Sequence, residues 1–409
     1  MGAPLGSEDH VLSRIDHFFP EASACPGVRL GRGDDCAVLD GDGLLCVSTD
    51  LFMEGTHFRR AYFSPEDIGW KALAVNLSDL AGMGAVPVGF TAAIALPPDA
   101  DEDLADGLFQ GMADLASLSR FGGFSPVPLV GGDLSRADRL HLCLTVFGRT
   151  ERPLTRGGAM PGDVVFLVGR AGLARAGLLA LEAALEAALE AALASTGRET
   201  PAGNRAAGET ADKAGRNIAD RVRACYPEAV AAHLRPLPRL AEGTRLSALA
   251  AALERERGES VRLGLMDLSD GLARDLPRLL GPGKGAAIRL PKPHPEIVRF
   301  LLETEGSRAG AEFVESGQSG GMAATVTSGA TERMAGSTAE DEAARVTRHA
   351  WLGGEEYGLI GFCEPRFAAQ VMVNAAEAVF LGHVTEDGRF LCNGLDCGRD
   401  FGPGFDHFS

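Results

Sequence analysis

The stretch "VRLGLMDLSDGLARDL" (residues 261–276) joins an apolar run to a polar turn and then to a helical pattern. The run as far as Asp270 predicts a buried strand, and the residues from Gly271 onward predict a helix. Asp267 and Asp270 therefore lie at or just before the first helical turn. Two interpretations are open. Asp267 or Ser269 caps the helix by accepting a bond from an orphan backbone N–H, or the two carboxylates hold a charged ligand.

Strands and helices alternate on both sides of this junction, which predicts an α/β or α+β fold. The strands are predicted at 44–49 (ending at Asp50), 88–97, 127–133 (ending at Asp133) and 139–150, and the helices at 64–84 and 101–120. Ser64 followed by Pro65 is typical of a helix start. A new unit begins near residue 153. Because 409 residues exceed one average domain, we expect two domains, 1–152 and 153–409.

Two stretches differ in composition from the rest of the second domain. "LEAALEAALEAALA" (181–194) is a short repeat of strong helix formers, and a polar, Gly/Ala-rich segment follows it to residue 216. Residues 303–347 are similarly rich in Gly, Ser, Thr, Ala and Glu. We interpret 181–216 and 303–347 as insertions, the first beginning as a helical extension. The repeat is too short for a coiled coil.

The composition excludes several functional classes. The formal net charge of −17, from 56 acidic and 39 basic residues, argues against general nucleic-acid affinity, which needs a basic surface. No apolar run reaches the length of a membrane span, and the N-terminus lacks the pattern of a signal peptide. The eight cysteines form no CxxC pair. We therefore expect a cytoplasmic protein that does not interact with membranes.

Carboxylates interrupt apolar or glycine-rich sequence at seven positions. Asp79 is the clearest case, because a charge beside Leu77 and Leu80 is costly to bury without a partner. The others are Asp34, Asp35, Asp50, Asp133, Asp267 and Asp270. Each alone fits a turn or a cap, but together they suggest one shared site.

The composition of this shared site favours a hard cation. Oxygen ligands without clusters of His or Cys are typical of Mg²⁺ or Ca²⁺, and the EF-hand pattern is absent. "GPGKGAA" (281–287) has the wrong spacing for a P-loop. A nucleotide would therefore be bound through carboxylates and metal ions rather than through a P-loop.

An ordered series of motifs resembles thiamine-monophosphate kinase, a family within the aminoimidazole-ribonucleotide-synthetase-like superfamily of ATP-using enzymes. The resemblance spans about residues 28 to 408. Its motifs are "GRGDDCAVLD", "VSTDLFMEGTHF", "KALAVNLSDLAGMGAVP", "LVGGDLSR", "TRGGAMPGDVVFLVG", "MDLSDGLARDL", "GGEEYGL" and "GFDHF".

The resemblance implies a two-domain fold and a reaction. The N-terminal mixed-sheet domain would form a homodimer, and a C-terminal α/β domain would pack against it. ATP, as co-substrate, and several Mg²⁺ ions would lie in the cleft between the domains. The reaction would be direct in-line phosphorylation of thiamine phosphate to thiamine diphosphate.

The resemblance also implies roles for individual residues. The metal ligands would be Asp35, Ser48, Thr49, Asp50, Asp79, Asp133, Asp267 and Asp270. ATP would contact Gly132, Asp133, Arg156 and Ser269, and thiamine phosphate would contact His57, Glu355 and Phe405. The catalytic set would be Asp50, Asp79, Asp133, Asp267 and Arg156.

Three residues depart from the family pattern, and simpler roles are open for three others. The family motif "GGEDYEL" is here "GGEEYGL", with Glu356 and Gly358 as replacements, and Leu134 stands where Thr is usual. His57 could be a structural hydrogen-bonding residue, Phe405 a packing residue and Arg156 a surface arginine. The alternative functions are another ATP-using member of the superfamily, such as aminoimidazole ribonucleotide synthetase, and a non-catalytic nucleotide-binding regulator.

Overall fold

The computed structural model describes residues 28–30, 34–41, 43–118, 126–196, 218–314 and 339–402. Within these ranges the chain forms two mixed β-sheets with helices packed against them. The mixed α/β class predicted from the sequence is confirmed. No helix in these ranges is both long and apolar enough to cross a bilayer.

The first sheet has six strands in the order β1-β2-β3-β6-β4-β5. Neighbouring strands are antiparallel except β4 and β5, which are parallel. Helix α1 packs on β3 and β6. The elements are β1 (Val28–Leu30), β2 (Ala37–Gly41), β3 (Gly43–Met53), α1 (Pro65–Gly82), β4 (Val86–Leu96), α2 (Glu102–Ala116), β5 (Leu129–Arg136) and β6 (His141–Thr150).

The second sheet has seven strands in the order β13-β12-β9-β11-β7-β10-β8, and only β12 and β9 pair in parallel. Its strands are β7 (Val164–Val168), β8 (Leu263–Leu268), β9 (Gly285–Ile288), β10 (Gly358–Cys363), β11 (Ala378–Thr385), β12 (Phe390–Cys392) and β13 (Leu395–Asp396). The helices of this part are α3 (Leu173–Thr196), α4 (Pro227–Leu234), α5 (Leu240–Arg257), α6 (Leu272–Leu280), α7 (Pro295–Val314), α8 (Ala339–Trp351), α9 (Ala368–Asn374) and α10 (Cys397–Phe401). Residues 218–225 are also helical, and Pro365–Phe367 form a 3₁₀ turn.

Helix α1 lies between the two sheets. It begins as predicted, because Ser64 and Asp67 form a reciprocal capping box and Pro65 occupies the first turn. It contacts β3 and β6 of the first sheet and β8 of the second. Fifteen of its eighteen residues are buried, among them the polar residues Lys71, Asn76 and Ser78, and Asp79 is partly exposed.

The structure corrects two of the predicted strand ends. Asp50 and Asp133 lie inside β3 and β5, not at their ends, because backbone pairing continues past both residues. A strand can carry an acid in its interior where the alternating face leaves the side chain room for partners or solvent.

The two predicted insertions fall only partly within the described residues. The repeat at 181–194 continues α3, whose Leu181 is fully buried and whose Glu182 accepts hydrogen bonds from Tyr62 and Arg59. The first residues of the repeat therefore pack in the core, and the interpretation of 181–216 as an insertion stays a prediction. Residues 197–217 and 315–338 lie outside the described residues.

Candidate active site

Four carboxylates converge where the first sheet, α1 and the end of β8 meet. We call Asp35, Asp50, Asp79 and Asp267 the acid cluster. One oxygen each of Asp35, Asp79 and Asp267 lies within 4.8 Å of the others, and this is the group among the described residues that could hold a metal ion. The three belong to the loop before β2, to α1 and to β8. The shared site predicted from scattered acids therefore forms in three dimensions at these positions.

Close backbone approach brings Asp35 into the cluster. Its Oδ2 accepts a hydrogen bond from the backbone N–H of Asp267 at 3.2 Å. The same oxygen passes over Gly82, the last residue of α1, where a Cβ atom would lie 2.1 Å away from it. Only glycine leaves space for the carboxylate at this point, which gives the "AGMG" sequence after Asp79 a physical reason.

Strand β3 supplies the next residues. Ser48 donates a hydrogen bond to Asp79 Oδ2 at 2.5 Å, and the backbone N–H of Asp50 donates to Asn76 Oδ1 at 3.1 Å. Ser48 and Asp50 share one face of the strand because side chains alternate. Thr49 lies on the opposite face, where its hydroxyl bonds that of Thr145 at 2.8 Å. Its side chain is therefore not part of the acid cluster.

Burial and like charge disfavour ionisation throughout the acid cluster. Burial raises the pKa of Asp35 to about 7, with Asp34 adding repulsion and Arg156 opposing it. Burial together with Asp270 raises the pKa of Asp50 to about 6. Burial and the neighbouring acids hold the pKa of Asp79 and of Asp267 well above the ordinary value. The protein thus supplies less positive charge than the four carboxylates need.

Arg156 is the cation that the protein does place here. Its backbone N–H donates to Asp34 Oδ2 at 2.9 Å, its Nε lies 3.3 Å from Asp34 Oδ1, and its guanidinium pairs with Asp35. Asp34 was not in the predicted ligand set, and here it serves to fix Arg156. The surface-arginine interpretation is wrong, since the side chain is mostly buried.

The turn after β8 is held by an acid that the sequence analysis did not single out. Helix α6 starts after Gly271 with no side-chain cap, so neither Asp267 nor Ser269 caps it. Instead the fully buried Asp275 accepts the backbone N–H groups of Asp270 and Gly271 at 3.0 and 2.9 Å. Asp270 Oδ2 accepts a hydrogen bond from Arg278 Nη1 at 2.7 Å. The interpretation that Asp267 or Ser269 caps the helix is therefore wrong. The carboxylates of Asp267 and Asp270 do not bind the backbone N–H groups at the start of α6.

Beside the acid cluster lies a second buried group of opposite character. We call Lys71, His233 and Glu355 the Lys71 cluster. Lys71 Nζ donates to Glu355 Oε2 at 3.0 Å, and His233 Nδ1 lies 2.9 Å from the same oxygen. Neither Lys71 nor His233 was predicted from the sequence. Lys71 is the one charged residue in the mainly apolar stretch "GWKALAVNL" (69–77), which is the same signal that identified Asp79.

The departures in "GGEEYGL" have structural roles. Glu356 accepts the backbone N–H of Ala174 at 3.0 Å, next to the N-terminal end of α3. Burial nevertheless raises the pKa of Glu356 to about 8. A Cβ at Gly358 would lie 2.7 Å from the carbonyl oxygen of Val168. Glu356 therefore binds the start of α3, Gly358 permits close packing of the strand, and Leu134 is exposed on β5.

The other predicted residues are not brought into the acid cluster. Gly132 and Asp133 lie on the exposed strand β5, three strands from Asp50 and about 14 Å across the sheet. His57 accepts the backbone N–H of Met53 through Nδ1 at 3.0 Å and stacks on Phe52, in the hydrogen-bonding role left open above. Phe405 lies outside the described residues. For these positions the predicted ligand contacts stay predictions.

Sequence and structural comparisons give the context of this site. Residues 33–150 match the family model described as AIR synthase related protein, N-terminal domain. Thiamine-monophosphate kinase of Synechococcus elongatus is 41% identical over 158 residues, which are 38% of this chain and 46% of that protein. Thiamine-monophosphate kinase of Salmonella typhimurium is 32% identical over 283 residues, 68% of this chain and 70% of that protein. The chain thus spans about half of the first relative and more than two thirds of the second.

Solved structures support the fold. The structure described as AaThiL complexed with AMPPCP and TMP aligns with a TM-score of 0.62 and 22% sequence identity, over 98% of this chain and 97% of that chain. At this identity the likeness establishes the architecture, which is a two-sheet fold shared over nearly the whole length.

Proposed function

The chain belongs to the thiamine-monophosphate kinase family, and we propose that it transfers the γ-phosphoryl group of ATP to thiamine phosphate. The bond between the γ-phosphorus and its bridging oxygen breaks, a phosphate oxygen of the acceptor forms the new bond, and ADP and thiamine diphosphate result. The observation that carries the proposal is the acid cluster with Arg156 beside it. The AMPPCP and TMP named for AaThiL support the choice of substrates.

The donor set of the acid cluster fits Mg²⁺. Its ligand atoms are carboxylate oxygens, which hard cations prefer, and their raised pKa values indicate missing positive charge. We propose Asp35, Asp50, Asp79 and Asp267 as the ligands that hold the ions, with Ser48 and Asp270 beside them. When bound, Mg²⁺ neutralises charge on the phosphates and helps to align the attacking and leaving oxygens.

The acceptor needs no general base. The second pKa of a phosphate monoester is about 6, so the nucleophilic oxygen is already ionised at neutral pH. The barrier comes from repulsion between anions, about 4 kcal/mol for two unit charges about 4 Å apart at an effective dielectric near 20. Arg156, which Asp34 and Asp35 hold in place, is positioned to stabilise negative charge on the transferring group. Glu355, at the edge of the same site, is proposed to contact the organic part of the acceptor, together with His57 and Phe405.

The test is direct detection of product. The protein is incubated with thiamine phosphate, ATP and Mg²⁺, and thiamine diphosphate is measured by mass spectrometry. We expect product in the complete mixture and none when Mg²⁺ is chelated. Nucleotide binding without product would favour the non-catalytic regulator, and ADP formation that depends on a different acceptor would favour another member of the superfamily.

We also propose a homodimer formed through the first sheet, with units 1–152 and 153–409 as its two domains. Strand β5 is exposed at all eight positions and, among the residues that the structure describes, pairs only with β4. Its exposed apolar residues include Leu129, Val130 and Leu134. Apolar edge strands are normally covered. Light scattering should give twice the 42.7 kDa chain mass, whereas the mass of a single chain at micromolar concentration would contradict the proposal.

A further inference from the structure

Lys71 is a buried charge with a specific partner. It lies on α1 about 12 Å before Asp79 along the helix axis, and its side chain is fully buried. A buried ammonium group is tolerated when it is paired. Lys71 Nζ donates to Glu355 Oε2 at 3.0 Å and lies 5.4 Å from the centroid of the Phe63 ring. Lys71 Nζ also lies 3.3 Å from His233 Nδ1, so the lysine contacts both other members of the Lys71 cluster and one aromatic ring.

His233 reaches the same oxygen from α4. Its ring is buried, and its Nδ1 lies 2.9 Å from Glu355 Oε2. Burial and the nearby Lys71 lower the pKa of His233, so the ring is neutral and carries one proton. We assign that proton to Nδ1, because the carboxylate oxygen can only accept and, at 2.9 Å, it lies nearer to Nδ1 than Lys71 Nζ does at 3.3 Å. Nε2 then has no hydrogen-bond partner among the described residues, which is consistent with a ring placed for its contact with Glu355.

The backbone of Glu355 is fixed as firmly as its side chain. Its φ of 63° is in the left-handed region, which a glutamate rarely adopts. Its N–H donates to the carbonyl oxygen of Ser269 at 2.6 Å, in the turn that carries Asp270. The contacts with Lys71 and His233 all use Oε2, and a quarter of the side chain remains exposed.

We propose that Lys71 and His233 are positioning residues that hold Glu355 as an oriented carboxylate, so that Oε1 accepts a hydrogen bond from the organic part of the phosphate acceptor. This inference rests on the proposed function, since it takes thiamine phosphate as the acceptor. Lys71 and His233, which do not contact the substrate, would set the affinity for the acceptor and leave the affinity for ATP unchanged.

The test compares Lys71→Met with Lys292→Met, which removes an exposed lysine. We expect Lys71→Met to raise KM for thiamine phosphate by about tenfold or more, the effect typical of a supporting residue. KM for ATP should change less than about twofold. Lys292→Met should change neither. An equal rise in both KM values of Lys71→Met, or no rise in either, overturns the inference.

Two further variants separate positioning from folding. Asn at position 233 can place an amide N–H near the position of Nδ1, so His233→Asn should keep most of the affinity that His233→Leu loses. If Lys71→Met does not fold, the double variant Lys71→Met/Glu355→Gln removes the unpaired carboxylate as well. It should match Glu355→Gln alone in KM for thiamine phosphate, and a further tenfold rise overturns the inference.

Two separate measurements distinguish failure of the proposed function from failure of the positioning role of Lys71 and His233. Absence of thiamine diphosphate from the wild-type reaction overturns the proposed function. Isothermal titration calorimetry with thiamine phosphate tests the inference without turnover. Weaker binding by Lys71→Met than by wild type supports it, and equal binding, or no binding by wild type, overturns it.

Discussion

The acid cluster and the Lys71 cluster share helix α1, but the protein treats their charges in opposite ways. In the Lys71 cluster the carboxylate of Glu355 has its cation supplied from within. Although burial opposes ionisation, Lys71 and His233 hold the pKa of Glu355 well below its usual value. In the acid cluster burial and like charge raise the pKa of all four carboxylates. Arg156 provides one charge against four.

This contrast separates an ion pair that the fold completes from a group of carboxylates for which we propose a bound cation. A buried charge that is paired by the fold rigidifies its surroundings, and a set of buried charges left unpaired destabilises the fold until a ligand arrives. The two clusters are linked, since the backbone N–H of Glu355 donates to the carbonyl oxygen of Ser269, two residues after Asp267. We therefore expect mutations in the acid cluster to act through Mg²⁺, and mutations in the Lys71 cluster to act through the geometry of Glu355.

The largest expected effect comes from Asp79→Asn. The substitution keeps the shape and removes one negative charge from the acid cluster. Turnover should fall by more than about 100-fold, which is the upper range for residues that only support a ligand. Without Mg²⁺ the melting temperature should hold or rise, because repulsion from Asp35, Asp50 and Asp267 is relieved. Steady-state turnover and thermal melts with and without Mg²⁺ measure both.

The matched control is Asp106→Asn, which removes an exposed carboxylate from α2. It should leave turnover and the stabilisation by Mg²⁺ plus ATP unchanged. If Asp79→Asn unfolds the metal-free protein but retains near-normal turnover where it folds, Asp79 is structural and the contrast between the two clusters is lost.

A smaller effect is expected from Gly82→Ala. Helical propensity favours alanine at this position, but the added methyl carbon would lie 2.1 Å from Asp35 Oδ2 and 3.0 Å from the backbone nitrogen of Asp267. Asp35 must move, so we expect about tenfold weaker Mg²⁺ affinity and a stability loss of about 1–3 kcal/mol from overpacking. Calorimetric Mg²⁺ titration and urea unfolding test this.

Gly398→Ala is the comparison for Gly82→Ala. Gly398 is also helical, and a methyl group there meets nothing within 4 Å. It should leave Mg²⁺ affinity unchanged. Equal effects of the two substitutions would show that the clash with Asp35 does not set the geometry of the acid cluster.

The features that depend on local sequence pattern, helix α1 and part of the acid cluster, were predicted from the sequence. Helix α1 was placed within about two residues at each end, because its start is encoded by adjacent residues, Ser64 and Pro65. The convergence of Asp35, Asp79 and Asp267 was anticipated because each is an acid in apolar or glycine-rich sequence. The strand ends at Asp50 and Asp133 were wrong, since an acid inside a strand looks like a strand end when its cross-strand neighbours are unknown.

The Lys71 cluster depends on tertiary contacts that no local pattern carries. His233 is 162 residues from Lys71, and Glu355 is 284 residues from it. Lys71 could have been suspected from its apolar surroundings, as Asp79 was. Its partner His233 could not have been suspected from the sequence, since it lies on a short helix whose approach to α1 is set by packing. Asp275 was within the stretch first quoted, but its role in holding the turn required the backbone geometry.

The smallest effect expected is a pH dependence that distinguishes the clusters by sign. Burial raises the pKa of Asp35 to about 7, above the value of about 3.9 in an unfolded chain. Between about pH 8 and pH 6.5 the folded protein therefore binds protons that the unfolded chain does not. Metal-free stability should rise by about 1 kcal/mol as the pH falls through this interval. Asp79 and Asp267, whose pKa values are also raised, act in the same direction.

In the Lys71 cluster, His233 and Glu355 have the opposite sign but act at lower pH. Burial lowers the pKa of Lys71, so its opposing effect begins below about pH 10.4, where the unfolded chain binds the proton. Burial, reinforced by Lys71, lowers the pKa of His233, so protonation of the unfolded chain opposes folding only below about pH 6.5. Glu355, with its lowered pKa, loses stabilisation only below about pH 4.5. Urea unfolding from about pH 8 to pH 6.5 thus avoids the titration of His233 and Glu355. Glu356, whose pKa burial raises to about 8, acts in the same direction as the acid cluster. Saturating Mg²⁺ should therefore reduce the rise, because the cation competes with protons for the oxygens of the acid cluster, and Asp35→Asn should reduce it as well. Metal-free stability that is flat or falls over this interval, and that Asp35→Asn leaves unchanged, would mean that Arg156 already neutralises Asp35. The acid cluster, like the Lys71 cluster, would then be completed by the protein's own cation without a bound metal ion.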